Sequence, residues 1–423
     1  MRNSSKKIKS IVQQISLKYG TRKTTFKLPD QAEIFQVKEP EKKITPSGFA
    51  DRLRDVHETM NPDLSDIAVV LADKTRLCGY PEYLPVLLDT LKAAGAEPDR
   101  VTLYIAYGTH ARQTKEECLA TYGESYLRHK FIHHDCEDAD LFSFFGQTRR
   151  GTPVLIRRDI IDAGFLVTFG AISHHYFAGY GGGRKLIFPG LGHKSAIYHN
   201  HGLFLDAQLQ TLSPFCRSGV LDGNPLAEDL AEIESFRKVD LAIHGILNNK
   251  GDVCDLFPGV GPDHFRRVCA EHGKHCETRD DRVFDLVIAS SGGYPKDINF
   301  IQSHKAIENS AKFVKDGGTL IVLAECPDGV GSKTFMPWFD MGGWERAFER
   351  LSENYEGNGG TALSMMAKLQ RINILVVTDL EDAVCERIGF EKATMEHAKT
   401  LVKQSTGPVA AIPNAGLVVK VTA

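Results

Sequence analysis

At 423 residues, with 42% hydrophobic and 25% charged side chains, the chain has the composition of a water-soluble globular protein and is too long for one ordinary core, so two domains are expected. A formal net charge of −3 excludes nucleic acid or an anionic membrane as a partner drawn in by bulk charge. Apolar runs such as Leu286 to Ala289 fall far short of a membrane span, and no apolar leader follows the basic Met1-to-Lys7 stretch, so a cytoplasmic location is expected.

In chain order, Ile15-Ser16-Leu17 and Thr25-Phe26-Lys27-Leu28 alternate around Tyr19-Gly20-Thr21-Arg22, which predicts a hairpin. Residues 46 to 60 read as a helix. Ile67 to Ala72 is a continuous apolar run, a buried strand, and it ends in Asp73-Lys74-Thr75-Arg76. A helix is predicted from Glu82 to Ala94, with Leu84, Leu87, Leu88 and Leu91 on one face. Val101 to Ala106 is the next strand and ends in Tyr107-Gly108-Thr109-His110; Gly164 to Phe169 is another and leads to His174-His175. Three strands each deliver a reactive cluster at the carboxyl end, which implies a parallel sheet with one functional rim. Nine scattered cysteines without a Cys-x-x-Cys pair predict reduced packing thiols, with Cys78, beside the first cluster, the one to watch.

Chemistry is densest between residues 174 and 201. Gly179, Gly181, Gly182 and Gly183 free the backbone for positive φ and for close approach of N–H groups to an anion, while Arg184 and Lys185 add positive charge. The Gly-x-x-x-x-Gly-Lys-Ser/Thr fingerprint is absent. His174, His175, His193, His199 and His201 bring proton carriers and ligands suited to nickel, zinc, copper or iron. A glycine-rich loop packed on a core is the plain alternative for any such segment. The concentration of chemistry here favours a site.

Further on, Val239 to Leu247 reads as a strand with His244 as a core histidine, and residues 262 to 280 as a polar helix leading into a second domain. Phe284 to Ser290, Thr319 to Ala324 and Ile372 to Thr378 continue the strand pattern, with a helix carrying Gln302, His304 and Lys305 between them. Val409 to Val419 reads as strand, turn, strand. The expected fold class is α/β: two α/β domains with mostly parallel sheets. The first, 1–275, would carry the reactive histidines, and the second, 276–423, would close the substrate site, its last strands 405–423 free to pack back on the first.

The series Asp73-x-Thr75-Arg76, Gly108-x-His110, His175-x-Phe177-Ala178-Gly179-x-x-Gly182-Gly183-Arg184-Lys185, His201, Gly292-Gly293-Tyr294-Pro295 and Gln302-x-x-Lys305 resembles the nickel-pincer lactate racemase family from about residue 66 onward. The resemblance implies an active site in the cleft between two α/β domains. It also implies a nickel-pincer nucleotide, a pyridinium-3-thioamide-5-thiocarboxylate mononucleotide covalently attached to Lys185, with His201 completing a square-planar nickel site. By the same resemblance His110 and His175 are the paired proton carriers. Asp73, Thr75, Arg76, Gly179, Gly182, Gly183 and Arg184 line the cofactor, Arg76 clamping the substrate carboxylate, and Gln302 and Lys305 close the site. Its partners would be a small 2-hydroxy acid and the enzymes that make the cofactor, with a homo-oligomer allowed for.

The implied chemistry explains the inventory. Proton abstraction beside an ionised carboxylate is hard, whereas hydride removal gives a planar 2-keto acid, and a histidine on each face serves one enantiomer each. An arginine fork suits a carboxylate and a lysine adds a point charge. Ile301, Gly360 and Leu77-Cys78-Gly79 replace bulkier or proline-bearing family positions, so the expected substrate is larger than lactate: malate, an aromatic acid or a sugar acid. The readings from other classes are a nicotinamide-dependent 2-hydroxy acid oxidoreductase, which lacks its fingerprint here, and a non-enzymatic nucleotide or nickel binder, for which paired histidines would be superfluous. Among the remaining residues, His193 is read as structural, His199 as support for His201, His304 as a solvated helix residue and the His133/His134 pair as a surface feature. Trp338 and Trp344 are read as core packing or aromatic pocket walls.

Overall fold

The computed structural model describes residues 13–58, 60 and 62–421; the basic Met1-to-Lys7 stretch lies outside them. The described chain divides into two compact units, residues 38–275 and residues 13–37 with 276–421. Both are α/β with large, mostly parallel sheets. No helix among the described residues is long and apolar enough to cross a membrane.

In the 38–275 unit six strands lie in the order Val253–Gly259, Leu241–Leu247, Phe165–Ala171, Ile67–Ala72, Val101–Ala106 and Lys130–His133. All pairings are parallel except that of Val253–Gly259 with Leu241–Leu247. Every residue of Ile67–Ala72 is buried, as a strand covered on both faces requires, which is why its sequence is unbroken by polar residues. The register sets Ala72 opposite Ala106, so the segments beginning at Asp73 and Tyr107 leave the sheet side by side. Two tyrosines fix that exit. Ala72 N–H donates to the Tyr80 hydroxyl (2.9 Å), which donates to Phe169 O (2.8 Å), and the Tyr122 hydroxyl donates to Ala72 O (2.9 Å). Each such buried bond contributes on the order of 1 kcal/mol net, and leaving one partner unmade costs more.

In the other unit the order is Glu391–Lys392, Asn373–Val377, Val314–Leu323, Phe284–Ser290, Val409–Ile412 and Glu33–Ile34, parallel throughout. Residues 13–37, assigned by the sequence reading to the first domain, fold here. Glu33 and Ile34 pair with Ala410 and Ala411, and the hairpin Gln14–Tyr19/Arg22–Lys27 turns Ile15, Leu17 and Tyr19 into the core that holds Leu286, Ile288 and Ile321. Alternation is a local signal, but the surface that buries it is chosen by the whole fold. The final strands fold in this unit too: Val409–Ile412 lies inside its sheet and Val419–Val421 pairs with Glu277–Arg279. All nine cysteines are free thiols and eight are buried. Cys78 is one of these, its thiol raised well above the usual range by burial, so it is a packing residue.

Candidate active site

Asp73, the first residue beyond the central strand, is buried. Its Oδ1 accepts from the Thr75 N–H (2.9 Å) and hydroxyl (2.6 Å), and its Oδ2 lies 2.6 Å from His110 Nδ1. Burial alone would raise this carboxyl, but the hydrogen bond and charge of His110, the Thr75 hydroxyl and Arg76 outweigh it, and the group sits below its ordinary value. A carboxylate can only accept, so Nδ1 of His110 donates, and in the neutral ring Nε2 is then the proton acceptor. His110 is about half exposed, its turn held by Gly108 N–H on Gly190 O (2.9 Å) and its own N–H on Tyr107 O (2.9 Å). Arg76 is exposed and donates from Nη1 to the Thr75 hydroxyl (3.0 Å).

His175 ends the short strand Ser173–His175, which pairs with Gly179–Gly181. Its Nδ1 accepts from Ala178 N–H (3.3 Å). In the neutral ring the proton therefore rests on Nε2, the reverse of His110. Around the turn, the Phe177 ring meets three expected site residues: His175 at 4.5 Å between ring centres, His201 at 5.2 Å, and the Lys185 ammonium at 5.7 Å from its centre. Burial, then the charges of Arg76 and Arg184, hold the Lys185 ammonium well below the ordinary lysine range. Burial, then the charge of Lys185, pushes the His201 imidazole down to about 3, leaving it neutral, the form that ligates metals. Asp73, Thr75, Arg76, His110, His175, Lys185 and His201 thus belong to one unit, linked by these contacts and charges. Gln302 and Lys305 lie on the helix Phe300–Ser310 of the other unit, the Lys305 ammonium donating to Gln302 Oε1 (2.8 Å).

The glycines let this turn pack closely on its surroundings. Gly179 and Gly182 have φ of 74° and 80°, and a Cβ on either would come within 2.2 Å of the Val220 or Ala171 carbonyl oxygen. A Cβ on Gly183 would meet the Phe265 ring at 2.6 Å. Close packing of the chain on itself demands glycine at all three. Arg184 is buried with its guanidinium 5.2 Å from the Phe265 ring centre.

Several expectations are corrected by burial. His134 is covered and bonds through Nε2 to Gly192 O (3.1 Å), while His133 sits between the Tyr107 and Tyr126 hydroxyls (2.8 and 3.1 Å). His304 is buried beside the Glu308–Lys368 pair, and burial, then the Lys368 charge, lowers it to about 3. Gly360 is buried in the first turn of Gly359–Arg371, and its neighbour Gly359 is covered by Leu351 and the buried Trp338. His193 caps the helix Lys194–Gly202 and His244 lies in the core against His264, both as read from the sequence.

Comparison with known proteins closes the question of kinship. The lactate racemase N-terminal domain model matches residues 19–212 and the lactate racemase C-terminal domain model residues 280–419. The chain belongs to the lactate racemase family. It is accordingly an isomerase of the racemase type. Lactate racemase of Thermoanaerobacterium thermosaccharolyticum is 31% identical over 343 residues, 77% of each chain, and that of Lactiplantibacillus plantarum 29% over 280 residues, 64% of this chain and 62% of the relative. The solved lactate racemase apoprotein from T. thermosaccharolyticum superposes with a TM-score of 0.85 at 25% identity, over 97% of this chain and all of that one. A Thermotoga maritima structure, at 14% identity and TM-score 0.67 over 91% of this chain and all of that one, shares the fold. Within this family the reading that sequence alone missed is the role of Phe177 as the shared wall. It stood inside the quoted motif, where an aromatic between two reactive residues was the available signal.

Proposed function

We propose that this lactate racemase family member inverts the carbinol carbon of a 2-hydroxy acid, using His110 and His175 as proton carriers, with Lys185 anchoring and His201 ligating a nickel-pincer nucleotide supplied by its synthesis enzymes. The observation that carries the reading is the meeting of His175, Lys185 and His201 on the one Phe177 ring. The chemistry of the residues fits such a group. His201 is a neutral imidazole donor, the Lys185 ammonium is destabilised toward the free amine, and buried Arg184 has two guanidinium nitrogens, Nε and Nη2, without a hydrogen-bond partner among the described residues. A buried cation with spare donors suits an anionic ligand group. When bound, the cofactor supplies a hydride acceptor, the chemistry by which a 2-hydroxy acid passes through its planar 2-keto acid.

The chain's own residues do the rest. Asp73 orients His110 so that Nε2 takes the hydroxyl proton, and the same carboxylate stabilises the imidazolium that forms. His175, bearing its proton on Nε2, presents a hydrogen bond to the oxygen. Exposed Arg76 offers a fork for the carboxylate. Exposed Leu77, at the rim beside Arg76, supports a substrate larger than lactate.

The test is a panel of chiral 2-hydroxy acids incubated with protein produced alongside the cofactor-synthesis enzymes and resolved by chiral chromatography. Inversion of a malate, aromatic or sugar acid faster than lactate is expected, with nickel present and Lys185 increased in mass. Absence of inversion across the panel, with nickel and the mass increase both present, would overturn the reading; faster inversion of lactate would overturn its substrate part.

A further inference from the structure

The helix Pro225–Phe236 carries a buried polar face that no step above uses. Asp229 is fully covered, yet the donors on its carboxylate are neutral: Oδ2 accepts from Asn200 Nδ2 (2.8 Å) and Oδ1 from the Thr148 hydroxyl (2.5 Å). A carboxyl group held in a core by neutral donors carries a desolvation cost that apolar packing would avoid, so its presence there calls for a reason. Its two arms end on adjacent residues. One reaches Asn200 directly. The other passes from Thr148 to Thr152, whose N–H donates to the Thr148 hydroxyl (3.0 Å), and from the Thr152 hydroxyl to His199 Nδ1 (3.1 Å).

His199 and Asn200 immediately precede His201 on the helix Lys194–Gly202. Successive residues of a helix point about 100° apart, so holding two of them fixes the rotation of the helix and with it the direction of the third. The same Pro225–Phe236 helix begins at buried Asn224, whose Nδ2 donates to Phe177 O (2.9 Å) and Val220 O (3.1 Å) while its Oδ1 caps Ala227 N–H (3.2 Å). One helix therefore anchors both the Phe177 turn and the His201 helix.

We propose that Asp229 is a positioning residue for His201, fixing the imidazole through Asn200 and through Thr148, Thr152 and His199. It rests on the reading of His201 as the protein ligand of the metal, and acts without touching metal or substrate. Buried partners that orient a metal ligand typically change metal affinity about 10–100-fold when removed.

The experiment uses full-length protein with labelled histidine, prepared with and without the cofactor-synthesis enzymes. Asp229→Asn should move the His201 ring resonances of the cofactor-free protein and speed nickel loss to a chelator from the loaded protein at least about tenfold. The exchanged pair Asp229→Asn with Asn200→Asp, which restores one carboxylate and one amide in contact, should recover both. Unchanged His201 resonances in Asp229→Asn would overturn the proposal, as would equal disturbance in the exchanged pair. Should Asp229→Asn fail to fold, Thr148→Val cuts one arm alone and must shift the His201 resonances away from those of the parent, or the proposal fails. Nickel retained by His201→Ala would instead overturn the ligand assignment, while the resonances still decide whether Asp229 orients the ring.

Discussion

The two parallel sheets of this molecule spend the same edge in opposite ways. In the 38–275 unit the carboxyl ends of the strands release Asp73, the Tyr107–His110 turn and the His175 turn, the groups proposed above for the chemistry. In the other unit the corresponding ends are occupied by the chain's own N-terminal hairpin. The Ser290 hydroxyl donates to Lys18 O (2.6 Å), Tyr294 N–H to Gly20 O (2.9 Å), Gly20 N–H to Asp297 Oδ2 (2.8 Å) and the Tyr19 hydroxyl to Asp379 Oδ1 (2.6 Å), while Arg22 pairs with Glu325 (2.8 Å). Open α/β sheets bind ligands at this edge. The contrast teaches that the edge is an opportunity, and that a local hairpin suffices to turn it into a stability element.

That contrast can be broken most forcefully at His110. His110→Ala should lower the racemisation rate constant by about 10²–10⁴-fold, read by chiral chromatography, with Asp73→Asn falling less because the imidazole remains. A variant with the parent rate would remove the open edge from the chemistry. On the other side, charge should serve stability. Lys368→Met takes the nearest cation from the largely covered Glu308 carboxylate, leaving it the Ser364 hydroxyl (2.9 Å) and Lys312 (3.8 Å), and should cost about 1–3 kcal/mol in denaturant unfolding. Smaller still, Tyr19→Phe should cost on the order of 1 kcal/mol and leave the rate per folded molecule alone; a rate loss without a stability loss would mean that the hairpin belongs to the site.

The finest test is a pH profile. Asp73 is depressed in the folded state, so its contribution is complete above the unfolded carboxylate value of about 3.9 and is lost as pH falls through the lower folded value. The melting temperature advantage of the parent over Asp73→Asn should therefore hold from pH 7 to about 5 and shrink below. An advantage that grows on acidification would reverse the assignment.

The comparison also marks what a sequence can disclose. Ile67–Ala72 and Val101–Ala106 were legible to the residue because a strand covered on both faces is nearly all apolar, Thr102 being the one exception in the second, and the switch to the polar residues that succeed them is legible for the same reason. The destination of the first hairpin was not, since alternation says only that one face is buried. His134 and His304 were misread because a single histidine in a polar stretch carries no periodicity to reveal its burial. Asp229 did leave a trace that went unread. It stands in the Leu226, Leu230, Ile233 stripe of a helix, where an acid on the apolar face calls for a partner.

One consequence concerns synthesis. Residues 38–275 are contiguous, so that unit can settle while the ribosome is still translating residues 276–423. Glu33–Ile34 must instead wait for Val409–Ile412 before its ladder exists. The nascent hairpin therefore spends the synthesis of the whole 38–275 unit without its final neighbours.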